Sequence, residues 1–202
     1  MPVVHRFDQP DRFVAGTVGE PGARTFFLQA RQQRRLVSVA LEKQQVALLA
    51  ERVEELLDEV AGSAPTVIPA MAPLGLVDNE PLESPIEEEF RAGTMTLSWD
   101  PSIARVVIEV YPFEETAVDP GALEEAEGLE ELAELAGMAA EEEAEPSEVF
   151  VVSLAAGQAR AFAQRALQVV GAGREACPFC GGPIDVGGHL CPRANGFKRR
   201  DP

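Results

Sequence analysis

The chain has 202 residues, a mass of 21.7 kDa and a formal net charge of -17, with 46% hydrophobic and 25% charged residues. That is ordinary globular usage, and the length is enough to bury a core without disulfides in one domain, or in one compact pseudo-symmetric domain with an appendage. No window approaches the roughly 20 apolar residues that span a bilayer, and Met1-Pro2-Val3-Val4-His5-Arg6-Phe7 has neither an apolar run nor a small-residue cleavage site, so neither a transmembrane helix nor a secretory signal is expected.

Residues 1–62 read as strands followed by a helix. Phe13–Val18 is a strand, Glu20-Pro21-Gly22 a turn, Thr25–Ala30 a second strand, Gln32-Gln33 a tight connection, and Arg35–Ala40 a third strand. A helix follows from about Glu42 to Val60. Val46, Leu49, Val53, Leu56, Leu57 and Val60 recur on one face, and Gly62 is placed to end it. Residues 63–86 hold Pro65, Pro69, Pro73, Pro81 and Pro85. Proline lacks an amide donor and restricts its predecessor, so this stretch reads as an extended linker.

The same order returns in residues 87–112 and 148–172. Thr94–Trp99 alternates polar and apolar residues, Asp100-Pro101-Ser102 is a turn, and Arg105–Tyr111 and Glu148–Val152 are strands. A helix from about Ala155 to Val170 places Ala159, Phe162, Ala163, Ala166, Val169 and Val170 on one face, with Gly171 as its stop. Phe13-Val14-Ala15-Gly16-Thr17 matches Phe90-Arg91-Ala92-Gly93-Thr94. Val39, Leu41, Gln45, Ala50 and Arg52 match Val152, Leu154, Gln158, Ala163 and Arg165. The reading is a duplicated unit; the alternative is chance likeness within a common element order. Gly16 and Gly93 stand inside strands, where glycine marks a bulge or a close backbone approach, and are taken as structural.

Between the second and third strands of the second unit lies residues 113–147, an acidic insertion. Residues 113–148 carry 14 Asp/Glu and no Lys/Arg. Leu123, Leu129, Leu132 and Leu135 suggest a short helix between Ala122 and Met138, which repulsion among the glutamates opposes. Composition predicts a solvated, mostly disordered insertion. The functional alternative is a polyanion-like arm that competes for a basic surface. Residues 1–62 carry a net charge of -1, residues 63–148 a net of -20 and residues 149–202 a net of +4. The acidity thus belongs to the middle of the chain.

Residues 173–202 hold all three cysteines, in Cys177-Pro178-Phe179-Cys180 and His189-Leu190-Cys191. Thiolates and imidazole are zinc's preferred ligands, and Cys177, Cys180, His189 and Cys191 complete a tetrahedron. Gly181 and Gly182 permit the backbone angles of a tight knuckle, and ligands two apart project to one side of a strand. Four protein ligands leave no open position, so the expected Zn2+ is structural. The competing reading is a redox pair at Cys177 and Cys180. The tail beyond, Arg193 to Arg200, puts four basic residues beside Phe197. It reads as a solvated tail, with nucleic acid, an acidic partner or the chain's own acidic insertion as alternatives.

The chain shows no G-x-S-x-G, Walker or H-E-x-x-H motif. His189 is committed to metal, and His5 stands alone near the start, structural or exposed rather than catalytic. A non-enzymatic protein is expected. The fold class is α+β: two pseudo-repeated antiparallel strand-strand-strand-helix units plus a small C-terminal zinc knuckle. The expected function is a cytoplasmic zinc-binding regulator or adaptor working through an unidentified protein partner, with no membrane contact. The alternative is a single-stranded nucleic-acid binder, in outline similar to the PUR repeat, with Arg24, Arg31, Arg34 and Arg35 as a basic edge and the acidic arm as autoinhibitor. The net charge of -17 opposes it, because phosphate binding draws on cation density. An enzyme site at the seam between the units would require a deep pocket lined by carboxylates or arginines from both.

Arg12–Gly19, Thr25–Arg31, Val39–Val46, Cys177–Cys180 and Cys191–Gly196 together resemble an uncharacterised actinobacterial family, domain of unknown function 3090. The resemblance covers nearly the whole chain, the insertion matching only in its acidity. It implies a cytoplasmic protein with no established activity and a loose association with chromosome segregation.

Overall fold

Period-two burial along the strands and period-3.6 burial along the helices sort this chain into one sheet with a helical layer on it. The computed structural model describes residues 2–20, 22–63, 66–113 and 147–172, together with Cys177, Phe179, Cys191 and Arg193. In chain order the elements are β1 (Val3–Asp8), β2 (Arg12–Val18), β3 (Thr25–Gln32), β4 (Arg35–Leu41), α1 (Lys43–Ser63), a 3-10 turn (Leu74–Leu76), β5 (Glu88–Asp100), β6 (Arg105–Pro112), β7 (Glu148–Ala155) and α2 (Ala156–Gly171). The strands form one seven-stranded sheet in the order β1-β7-β6-β5-β4-β3-β2. The expected α+β class holds at this level. The helix expected in the acidic insertion and most of the expected zinc knuckle fall on residues outside the described ones.

Two contacts depart from the antiparallel expectation. β4 and β5 run parallel, because the chain leaves β4 through α1 and a long crossover before it returns. β1 runs parallel to β7, pairing Val3 with Glu148 and Phe7 with Val152. No strand is expected before Phe13 from the sequence, so β1 is an addition. β5 is also longer than Thr94–Trp99, running past a register shift between Ala92 and Met95. Gly93 sits in that shift, where an added Cβ would lie 2.8 Å from the Pro112 carbonyl oxygen. Helix α1 passes through Gly62 and stops at Ser63, whose hydroxyl donates to the Glu59 carbonyl at 3.2 Å.

The core lies between the helices and the facing residues of the sheet. Phe7, Phe13, Leu28, Val39, Ile108, Phe150 and Leu154 meet Val46, Val53, Leu57, Phe162 and Ala166 there. The Phe13 ring stacks 4.5 Å from Phe162, tilted by 31°. Both helices pack on each other, α2 also on β2 and α1 on β5. Each helix therefore touches the first strand of the other unit. Arg160 fixes the helix pair: its Nη1 donates to Glu54, its Nη2 to Asp58 at 2.6 Å and its Nε to the Pro69 carbonyl at 3.1 Å. Burial opposes this charge, but the bonds to Asp58 and Glu54 win and hold the guanidinium above its ordinary pKa.

Glutamines at equivalent places start the two helices. Gln45 Oε1 accepts the Glu42 amide at 2.8 Å, and Gln158 Oε1 accepts the Ala155 amide at 3.2 Å. Each covers an amide that the helix itself leaves without a partner. Their amide nitrogens then reach outward, Gln45 to the Ala92 and Gly93 carbonyls and Gln158 to the Pro10 carbonyl.

Candidate functional site

Sequence places the expected site at the C-terminal thiols. Cys177 and Cys191 are both 5% exposed, and their sulfurs lie 3.7 Å apart. A disulfide would need about 2.05 Å. Two Zn–S bonds of about 2.3 Å at the tetrahedral angle place sulfurs about 3.8 Å apart. Fourteen residues of sequence separate the pair, and the fold brings them to that spacing. Arg193 donates to the Phe179 carbonyl at 3.2 Å, a second contact between the parts of the chain that carry the two thiols. Cys180 and His189 lie outside the described residues.

The seam between the two units holds a cleft of about 400 Å³, bounded by β2, α2 and the segment from Gly75 to Glu80. Its polar centre is Asp78 between Arg12 and Arg165. Arg12 Nε and Nη2 donate to the Asp78 carboxylate at 2.6 and 3.0 Å, and Arg165 Nη1 donates to it at 2.8 Å. The hydrogen bond from Arg12 is the main cause that holds the Asp78 carboxyl below its ordinary pKa. The same bond raises Arg12. Arg165 is lowered, chiefly by burial, with the Arg12 charge adding to it.

Where the remaining donors go decides what this cleft can do. Arg12 Nη2 also serves the Glu80 and Pro81 carbonyls, each at 2.9 Å. Arg165 Nε serves the Ala15 carbonyl at 2.9 Å, and its Nη2 the Glu80 carbonyl at 2.6 Å. Ala15 lies on β2, the edge strand, so Arg165 covers a carbonyl that a further strand would otherwise seek. Further along, Gln29 donates to the Glu83 carbonyl at 3.0 Å and accepts the Glu83 amide at 2.8 Å. Leu82 fills the space over Gly16, where a Cβ would lie 2.5 Å from its Cγ. The proline-bearing segment is thus a strap. It passes round the β2 edge and lies on the sheet face opposite the helices. The arginines at the seam come from both units, as an active site there would require, but their donors are engaged by the strap and, through Arg165 Nε, by β2.

The expected basic edge is distributed in the same way. Arg31 pairs with Glu83 at 3.0 Å, Arg24 donates to the Ala172 carbonyl at 2.6 Å, and Arg35 lies over the Phe7 ring at 4.7 Å. Arg34 is exposed. Phe13, Phe26, Phe27, Phe150 and Phe162 are buried, while Phe113 and Phe179 stand more than half exposed.

His5 is neither exposed nor alone. It is buried, with Nδ1 3.3 Å from Arg35 Nη2 and Nε2 facing Glu148 and Glu89. Sequence reasoning misses this trio because its members sit on three strands with no shared spacing.

No described helix is long and apolar enough to cross a membrane. No curated protein and no solved structure matches the chain. One family does, over residues 5–191, from the buried histidine through the last cysteine, and the chain belongs to it: Protein of unknown function (DUF3090).

Proposed function

We propose that this chain is a non-enzymatic, zinc-binding regulator or adaptor of the cytoplasm that acts through contacts with another protein. The observation that carries it is the 3.7 Å separation of two buried sulfurs at Cys177 and Cys191. That spacing suits two thiolates on one tetrahedral ion, with Cys180 and His189 as the other two ligands. A site with four protein ligands has no position for substrate. Its binding free energy, of order 10 kcal/mol, orders the tail instead.

The rest of the fold then serves as a rigid platform of two copies of one unit. The matched roles of Gln45 and Gln158 support a duplication, as does the way each helix packs on the other unit's first strand. The inward use of Arg12, Arg31 and Arg165 argues against a cleft that grips phosphate. Exposed Met71, Leu74 and Phe113 offer apolar surface of the kind protein partners cover.

Elemental analysis of the purified full chain tests the reading. One zinc per chain is expected, lost in Cys177→Ser and in Cys191→Ser. Absence of zinc from protein purified without chelator, or full retention in both variants, overturns it.

A further inference from the structure

His5 projects from β1, Glu148 opens β7 and Glu89 lies near the start of β5. His5 is 7% exposed. Its Nε2 lies 3.4 Å from Glu148 Oε2 and 3.8 Å from Glu89 Oε1. One ligand atom from each residue falls within 4.8 Å of the others. His5 Nε2 and Glu148 Oε2 are both shut off from solvent and make no hydrogen bond. Leaving such atoms buried without a partner is costly, because each loses its hydration with nothing in return. Two of them facing each other across a shared centre suggest that something else occupies it.

We propose that His5 Nε2, Glu89 and Glu148 bind one first-row divalent transition-metal ion. Ligands about 2.0–2.2 Å from such an ion sit roughly 3–3.6 Å apart at ordinary coordination angles. The His5–Glu148 separation fits directly. Glu89, whose side chain is 44% exposed, closes the remaining distance by moving its own carboxylate. One imidazole and two carboxylates form a borderline-hard set, which suits Mn2+, Fe2+ or Zn2+ and is unsuited to a soft ion. Two carboxylates neutralise the dication, and Glu89, the more exposed of them, opens the way in. Three protein ligands leave coordination positions for water.

Arg35 works against the ion and sets its affinity. A ring ligating through Nε2 carries its proton on Nδ1, where Arg35 now places a donor at 3.3 Å. Arg35 has two other partners, the Arg6 carbonyl at 3.2 Å and the Phe7 ring, so the histidine contact is the one it gives up. The site is independent of the C-terminal thiols.

The test is Mn2+ titration of the intact chain carrying one equivalent of zinc, which the thiolates take first, read by calorimetry and by the electron paramagnetic resonance of free Mn2+. Thiolates select zinc over this ion, so the cysteines stay silent. One saturable site is expected. Glu89→Gln and Glu148→Gln should each weaken it at least about tenfold, and Arg35→Gln should tighten it by a similar factor. Glu89 is the exposed ligand, so its variant should keep the circular dichroism spectrum of the intact chain. Failure to saturate, or an affinity unchanged from the intact chain in both glutamine variants, overturns the proposal; in the second case the ion sits on other carboxylates.

Discussion

Gly16 shows how one absent side chain organises the sheet's second face. Its hydrogen leaves the space that Leu82 fills, and a Cβ there would come within 2.5 Å of Leu82 Cγ. Gly16→Ala therefore pushes the strap away or bends β2, at a cost of about 1–3 kcal/mol. Leu82→Ala removes the obstacle, so the double variant should recover part of that loss, with a coupling of about 1 kcal/mol. Urea unfolding of the two single variants and the double variant measures it; strictly additive losses would show that the two residues do not meet. Sequence marks Gly16 as the place of a bulge or a close approach without deciding between them or naming what approaches. That partner lies 66 residues away in a stretch whose prolines suggest a spacer. Proline restricts backbone angles, and a restricted chain can lie on a surface as readily as it can cross open solvent.

At the level of elements, the strap depends on charge. Asp78 takes hydrogen bonds from Arg12 and Arg165 while the neighbouring carbonyls take the rest. Its carboxyl pKa is depressed in the folded chain, the Arg12 bond being the main cause. Stability from this pair is accordingly complete above the unfolded carboxylate value of about 3.9 and fades as pH falls toward the folded value. Asp78→Asn should cost about 2 kcal/mol at pH 7. It should also flatten the decline of stability below about pH 4. Denaturant midpoints for both proteins from pH 3 to 7 give the answer; identical midpoints at neutral pH would show that Asp78 does not hold the strap. The strands and helices here were mostly legible, because each carries its own periodicity. β1 was not. Val3-Val4-His5-Arg6-Phe7-Asp8 has too short a pattern, and its partner β7 lies at the other end of the described sheet sequence. The start of β5 was also hidden, since Glu88 and Glu89 are poor strand formers placed there by β4. The thiol pair could be read from spacing alone; the histidine–glutamate trio could not, because only the sheet's order assembles it.

Taken as a whole, the molecule does not divide between its first strand-helix unit and its second. β4 and β5 join the two units into one sheet, and each helix packs on the opposite unit. Arg160 binds α1, α2 and the strap together at one point. Neither unit keeps its core if the other opens, so one cooperative transition is expected. Trp99 on β5 is the chain's only tryptophan, while far-ultraviolet dichroism follows both helices. Their denaturation curves should coincide; separated midpoints would mean that the units open independently.

The parallel pairing of β1 with β7 also sets an order of events during synthesis. β1 is made before β2 to β6, yet β7, its hydrogen-bonded neighbour among the described strands, is made after all of them. Until then Phe7 has no finished core to enter. Closure of the sheet is thus a late, long-range step.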